Sequence, residues 1–314
     1  MFALLFNKYQ VNMRVESEGQ MPMFAGSTLR GALFYSLRAL VCLTKKEKCK
    51  DCIVWDSCVY SYFFETPLRQ QQLAMNPGES APHPFILEPP FPPQRFFQIG
   101  DTFTFNLILV GKAISFLPHM ICAIDEMAHR GIARDRIRFA LEQILVETEN
   151  GHEEIYSDKK LKEHRIIYRS EDLLKKSLSV DSIKLHCITP VRIKYHGSLC
   201  SKLTFDIFAR NLLRRLSLIS SLHGYDYESI DISPLLERAK TISKTADTTY
   251  WFETTRYSSR QETTMQFGGI LGELTFEGEF KEIFPLIKLG EFLHIGKNTS
   301  FGLGKYRISD CISP

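Results

Sequence analysis

Apolar side chains from Phe2 to Val15 run continuously or in alternation and predict a first strand. After Gly26, Ser27 and Thr28 the period changes: Leu29, Leu33, Leu37 and Leu40 recur at helical spacing. They predict a helix over residues 28–41, capped by Ser27 or Thr28. Residues 60–65 are an aromatic run expected to pack against the domain. A proline-dense stretch over residues 76–94 excludes helix and predicts extended, exposed chain, so His83, between two prolines, reads as a loop residue. Phe103, Phe105, Leu107 and Leu109 alternate along a strand at 102–110, and residues 118–131 read as a helix ended by Gly131. Residues 136–148 have helical propensity, yet Ile137, Phe139 and Leu141 alternate, and a fourth strand is preferred. The order β-α-β-(hairpin)-α-β predicts a ferredoxin-like domain.

A charged stretch at 149–176, poor in aromatics, reads as a hairpin or linker. Residues 183–195 then begin a second unit with a strand containing Pro190. Phe205, Phe208, Leu212, Leu216 and Ile219 mark the buried side of a long helix closed by Gly224, with Asp206, Arg210 and Arg214 on its surface. A polar strand over 250–266, an alternating strand over 272–277, a weaker helix over 280–290 and a final strand repeat the order of the first half. The pattern therefore predicts an α+β protein of tandem ferredoxin-like domains: 1–148, carrying a cysteine insertion at 42–60, then a linker or hairpin at 149–182, then 183–314.

With 314 residues, 44% of them hydrophobic and 24% charged, the chain can bury two cores. A formal charge of +3 is too small for a general basic field, so a nucleic-acid surface has to come from local clustering. Such clustering exists: Arg192, Lys194, Lys202, Arg210, Arg214 and Arg215 stand against one acid, Asp206. No apolar run is long enough for a membrane span and the first residues lack signal-peptide character, so a cytoplasmic protein without membrane contact is expected. Cysteines there are metal ligands or small buried hydrophobes rather than disulfides.

Four cysteines are clustered. Cys42, Cys49, Cys52 and Cys58 follow a C-x6-C-x2-C-x5-C spacing in a lysine-rich stretch, and four thiols so spaced can converge on one tetrahedral ion. Structural zinc is the preferred reading, with an iron–sulfur cluster and no metal as the alternatives, since thiolates suit both metals. A second cluster precedes the end of the chain. Gly296, Gly302 and Gly304, at G-x5-G-x-G spacing with Lys297, Ser300 and Lys305 among them, form a turn that another backbone or a phosphate can approach closely. It is not a Walker loop in spacing or ending, and it also fits a plain tight turn before a strand. On the first helix, Arg30 and Arg38 share an outward side with Tyr35, a face that is either solvated or turned to RNA.

Four segments together resemble a known family: Gly26-Ser27-Thr28-Leu29-Arg30-Gly31-Ala32-Leu33; the cysteine module ending Cys58-Val59-Tyr60 with Phe64-Glu65-Thr66-Pro67; Arg256-Tyr257-Ser258-Ser259-Arg260-Gln261 with Gly268-Gly269-Ile270-Leu271-Gly272; and the terminal glycine loop. The chain is similar, over nearly its whole length, to CRISPR-associated endoribonucleases of the RAMP superfamily, which process repeat-containing precursor RNA. The resemblance implies a positively charged cleft holding repeat RNA and metal-independent cleavage that leaves a 2′,3′-cyclic phosphate. It implies RNA contacts from Arg30, Arg256, Tyr257, Arg260, Gly296, Lys297, Ser300, Gly302, Gly304 and Lys305, with no cofactor for catalysis. Many members carry a histidine on or just after the first helix, and residues 28–42 hold none. Tyr35 and Arg38, then His294 beside the loop, are the candidates left for acid–base and charge-stabilising work. Two other readings compete: a catalytically silent RAMP subunit of a CRISPR effector complex, and a small-molecule enzyme using the loop for a nucleotide. No acidic ribose or magnesium ligand accompanies the loop, which counts against the latter. A monomer or homodimer is expected.

Overall fold

The computed structural model describes residues 2–66, 81–175, 180–226, 231–253, 255–258 and 263–312. It divides into two compact units, one spanning Leu5–Tyr168 and the other Met1–Leu4 with Arg169–Pro314.

In the first unit a long strand, β1 (Leu5–Val15), leads into helix α1 (Gly26–Val41), short helix α2 (Val59–Phe64), β2 (Phe85–Glu88), β3 (Thr102–Val110), α3 (Leu117–Arg130), β4 (Phe139–Thr148) and β5 (Gly151–Ser157). The sheet order is β2-β3-β1-β4-β5, antiparallel throughout. Its first four strands have the ferredoxin-like arrangement, β1 lying between β3 and β4 with Val11 opposite Phe105 on one side and Ile144 on the other. Period two along β1 sends Tyr9, Val11, Met13 and Val15 into the core, where they join Leu29, Leu33 and Leu37 of α1 and Met120, Ile124 and Met127 of α3.

The described part of the proline-dense stretch, residues 81–94, is free of helix, as predicted, but it is not all exposed, and residues 76–80 lie outside the described residues. Phe85 to Glu88 are buried and form β2, because four proline-free residues keep the donors that an edge ladder with β3 needs. Helix α1 begins two residues earlier than the pattern suggests. Ala25 is its N-cap, and Ser27 is buried in the first turn rather than capping. The charged stretch at 149–176 is partitioned: β5 extends the first sheet, while Ser170–Leu174 is a short helix, α4, of the second unit.

The second unit continues with β6 (Ser182–Val191), α5 (Phe205–His223), β7 (Ser243–Asp247), β8 (Tyr250–Phe252), β9 (Gly269–Glu277), α6 (Phe284–Leu293) and β10 (Tyr306–Ile312). Order β7-β9-β6-β10, with β8 also pairing β9, repeats the first unit's arrangement. These are tandem ferredoxin-like folds. The outer strand β7 carries almost no apolar residue and escaped the hydrophobic pattern; the polar stretch at 250–266 instead holds β8 and a hairpin of Thr255–Ser258 with Thr263–Gln266. Pro285 in the first turn of α6 moves that helix to a later start than the pattern suggests.

Candidate nucleic-acid interface and cysteine module

Of the three α1 side chains expected on an open face, one is there. Tyr35 is 58% exposed, its ring edge-on to Phe34. Arg38 turns toward the chain after the helix, where its Nη2 donates to the carbonyls of Lys46 (2.6 Å) and Glu47 (3.4 Å) and its guanidinium lies 5.7 Å from the centre of the Tyr60 ring. Burial pulls its pKa down, but Tyr60, Cys42 and Cys49 more than offset this and hold it above the usual arginine value. Arg30 lies 5.2 Å over Phe64, and its Nη2 is 3.0 Å from Nε2 of His83. The basic face is thus folded onto the aromatic run of α2, whose rings attract guanidinium groups. His83, read from sequence as a loop residue, stacks on Phe85 and packs against α1.

The cysteine stretch consists of two single 3-10 turns, Cys49–Asp51 and Trp55–Ser57, in which no residue is buried. All four clustered cysteines line one cavity of about 270 Å³, together with His119 of α3. Burial, with Glu65, Cys58 and Cys42 nearby, pushes the Cys49 thiol up while Arg38 opposes the rise. The Cys52 sulfur is 3.1 Å from Thr44 Oγ1, and that contact, helped by the Val54 backbone, lowers its pKa. The donor set suits zinc or an iron–sulfur cluster. Among the described residues, however, no three His, Cys, Asp or Glu side chains are already drawn together around a metal-sized point.

At the other site, α6 ends at Leu293 and the chain turns through His294 into the glycine loop. Gly296, Gly302 and Gly304 all have positive φ, at 80°, 88° and 76°. At Gly296 and Gly304 the space left by the missing side chain is filled by protein backbone: a Cβ on Gly296 would lie 2.3 Å from the Arg192 carbonyl oxygen, and one on Gly304 would lie 1.8 Å from that of Ile295. Thr189 fastens the far side, donating from Oγ1 to Gly302 O (2.7 Å) and accepting from Lys305 N–H (2.9 Å). His294 is fully buried, with Nδ1 3.0 Å from Leu303 O. Arg215 of α5 donates from Nε to the carbonyls of Leu293 and His294, at 2.8 and 3.0 Å, so it satisfies the C-terminal carbonyls of α6. Desolvation lowers its pKa to about 9. Ser300 and Phe301 are buried, Lys305 is partly so, and Lys297 stands exposed at the tip. Arg256 and Tyr257 lie on the strand Thr255–Ser258; their side chains, and Arg260, fall outside the described residues.

An N-terminal domain family, AF_1859_N, matches residues 4–169, more than half of the chain, which therefore belongs to that family. The model described as CRISPR-associated endoribonuclease Cas6 matches residues 185–306, the part that holds the loop. Residues 185–306 thus carry a Cas6 domain, and the fold of the whole chain is that of Cas6 structures. An uncharacterized protein of Archaeoglobus fulgidus is 23% identical over 300 residues, covering 92% of each chain. A Cas6 product complex has a TM-score of 0.60 and 15% identity, covering 97% of this chain and 99% of that one. Thermus thermophilus Cas6 has a TM-score of 0.56 and 14% identity over 96% and 98%. A chain of a partial Cas6-RT-Cas1–Cas2 complex matches with a TM-score of 0.61 and 16% identity over 99% of this chain, which spans only 47% of that chain's length. Identities of this size carry the fold. Among the described residues, no helix is long and apolar enough to cross a membrane.

Two histidines that the structure brings to these regions, His83 and His119, carried no sequence signal. Each stands alone in its stretch, and its neighbours are far away in the chain.

Proposed function

We propose that this Cas6-type protein processes CRISPR precursor RNA by cutting within the repeats, without metal, to release mature guide RNA. The ribose 2′-oxygen attacks the adjacent phosphorus and loses its proton to a base; the P–O5′ bond breaks and the 5′-oxygen gains a proton, leaving a 2′,3′-cyclic phosphate and a 5′-hydroxyl. The observation that carries this reading is the Cas6 endoribonuclease match across residues 185–306, which contains the loop with Lys297 at its exposed tip.

Tyr35 is assigned the proton transfer, since its phenol is the exposed ionisable group of α1's central turns. Arg38 supplies positive charge one turn further on and braces the following chain through the Lys46 and Glu47 carbonyls. His294, buried, serves this chemistry by holding the loop. Lys297, Lys305, Arg30, Arg256, Tyr257 and Arg260 bind the strand, with backbone at Gly296, Ser300, Gly302 and Gly304 shaping the surface. Cys42, Cys49, Cys52 and Cys58 would hold one structural zinc ion. In support, the four thiols share one cavity and their turns bury nothing, so coordination would supply folding energy that packing does not. The product would pass to a CRISPR effector complex in the cytoplasm.

A second reading, a silent RAMP subunit that binds RNA without cutting it, draws on two observations: α1 holds no histidine, and His294 is buried. Incubation with the protein's own repeat RNA in EDTA separates them. Products ending in a 2′,3′-cyclic phosphate support the nuclease; tight binding with no product supports the silent subunit.

A further inference from the structure

Phe301, the aromatic residue of the glycine loop, is buried against Phe267, ring centres 5.8 Å apart, and so offers no face for a base to stack on. Phe267 in turn lies beneath the Arg192 guanidinium, 5.8 Å from its ring centre. Arg192 belongs to the loop's frame: its carbonyl accepts from Lys297 N–H at 2.8 Å and fills the gap at Gly296. Its guanidinium Nη1 donates to Gly268 O at 2.8 Å. At Gly268 one more aromatic arrives. A Cβ there would lie 2.6 Å from Cζ2 of Trp251 and 2.5 Å from Oε2 of Glu253, so the bare glycine seats the indole. Trp251 Nε1 donates to Glu253 Oε2 at 2.7 Å, which fixes the ring's orientation, and the residue remains 37% exposed.

A large, flat ring, held in one orientation at a strand edge and left open to solvent, has the properties of a stacking platform, since every base presents a π-face to it. Exposure alone would not distinguish a base from a protein partner. The position does: Trp251 is continuous, through Gly268 and Arg192, with the exposed tip of the loop at Lys297. Glu253 speaks for a base at this point rather than a phosphate, because its carboxylate, near enough to act on Arg192, would repel an anion. Phosphate contacts then belong to the loop side and the base to the indole.

We propose that Trp251, seated on Gly268 and fixed by Glu253, is a stacking platform for an unpaired base of the RNA strand that lies along the glycine loop. The proposal rests on the RNA-processing reading and adds a residue that the motif comparison did not single out. Tyr250, 59% exposed, is the adjacent strand residue and projects to the opposite face, which makes it the internal control.

The chain has two tryptophans, Trp55 and Trp251, so a Trp55→Phe protein reports on Trp251 alone. It would be titrated with its own repeat RNA carrying a single 2′-deoxyribose at the cut site, with binding followed independently by anisotropy of a labelled strand. The expected result is fluorescence quenching that saturates at the same midpoint as the anisotropy. Trp251→Ala should weaken affinity about 5- to 150-fold, Trp251→Phe by less, and Tyr250→Ala not at all. Binding by anisotropy with no quenching, and unchanged affinity in both Trp251 variants, would overturn the platform and leave RNA processing standing; a surface for a protein partner would give that result. Absence of any RNA binding would sink the processing reading, and the platform with it. Trp251→Phe keeps a ring over Gly268 and guards against reading a folding defect as lost stacking.

Discussion

The glycine loop of the second unit and the cysteine module of the first are both short, polar and set beside a helix, yet they are held by opposite means. The loop is closed by the fold itself. Carbonyls of Arg192 and Ile295 press into the places where side chains would be, Thr189 ties two of its residues, and the buried His294 and Arg215 complete its base. Among the described residues the module's frame is looser: its turns bury no residue, Leu43 and Ile53 stand 87% and 96% exposed, Cys49 and Cys58 touch the core, and Arg38 reaches the Lys46 and Glu47 carbonyls. A segment whose order comes from backbone contacts is intolerant of added atoms. One ordered by coordination, as proposed for the four thiols, would be intolerant of losing sulfur. The comparison also divides labour, with affinity assigned to the loop and chemistry to α1, the helix that leads into the module.

The largest effect expected from this division is on rate. Tyr35→Phe should slow cleavage about 10²- to 10⁴-fold with RNA affinity nearly intact, read by single-turnover kinetics beside equilibrium binding. A parallel fall in both would make Tyr35 a binding residue and erase the division. On the loop, Gly304→Ala forces a left-handed backbone on an L-residue, costing at least about 1–2 kcal/mol before the clash with Ile295 O is counted. RNA binding should be lost while the first unit stays folded, as hydrogen exchange would report; a variant that binds normally would show that the loop's closure does not matter. On the module, Cys58→Ser should abolish stoichiometric zinc and lower the melting temperature by at least about 2–4 °C, the equivalent of 1 kcal/mol in a unit of this size. Residual cleavage by the folded fraction would fit a structural ion. A visible charge-transfer band would mark iron instead, and an unaltered melting curve would refute coordination as the source of order.

Much of this was legible beforehand. Period two in β1 and β3 and the leucine spacing of α1 follow directly from burial of one face, so the first ferredoxin-like unit could be read from them, and the buried stripe of α5 marked the second. Strands β2 and β7 could not: one is a four-residue run between prolines and the other an exposed outer strand, and neither alternates. The loop's glycines were visible, but not what fills the space they leave, because Arg192 and Ile295 approach through the fold. The placement of Arg30 and Arg38 was not visible for a related reason. Helical spacing places them on an outer face, while the rings of α2, which fold back under α1, draw their guanidinium groups in.

A smaller effect sharpens the loop's role. Lys297→Ala should flatten the salt dependence of binding by about 0.7 of a log unit, as for one phosphate contact on a single strand, with little change in cleavage rate once RNA is bound. An unchanged slope would remove Lys297 from the interface. Smallest of all is Gly31→Ala on α1, where a new Cβ meets nothing within 4 Å; it should raise stability by about 0.4–1 kcal/mol in a denaturant titration and leave affinity alone. Weakened binding there would mean that the RNA backbone approaches this turn closely.

The central claim is that the nucleophile is the RNA's own 2′-hydroxyl and that no divalent ion takes part in the cut. Replacing the single ribose 5′ of the scissile phosphate by 2′-deoxyribose, in repeat RNA incubated with the protein in EDTA, tests both parts together. The account predicts full cleavage of the all-ribose strand in EDTA, and intact, tightly bound RNA for the substituted one. Cleavage of the deoxy-substituted strand, or a requirement for added magnesium or manganese with the natural one, would contradict it.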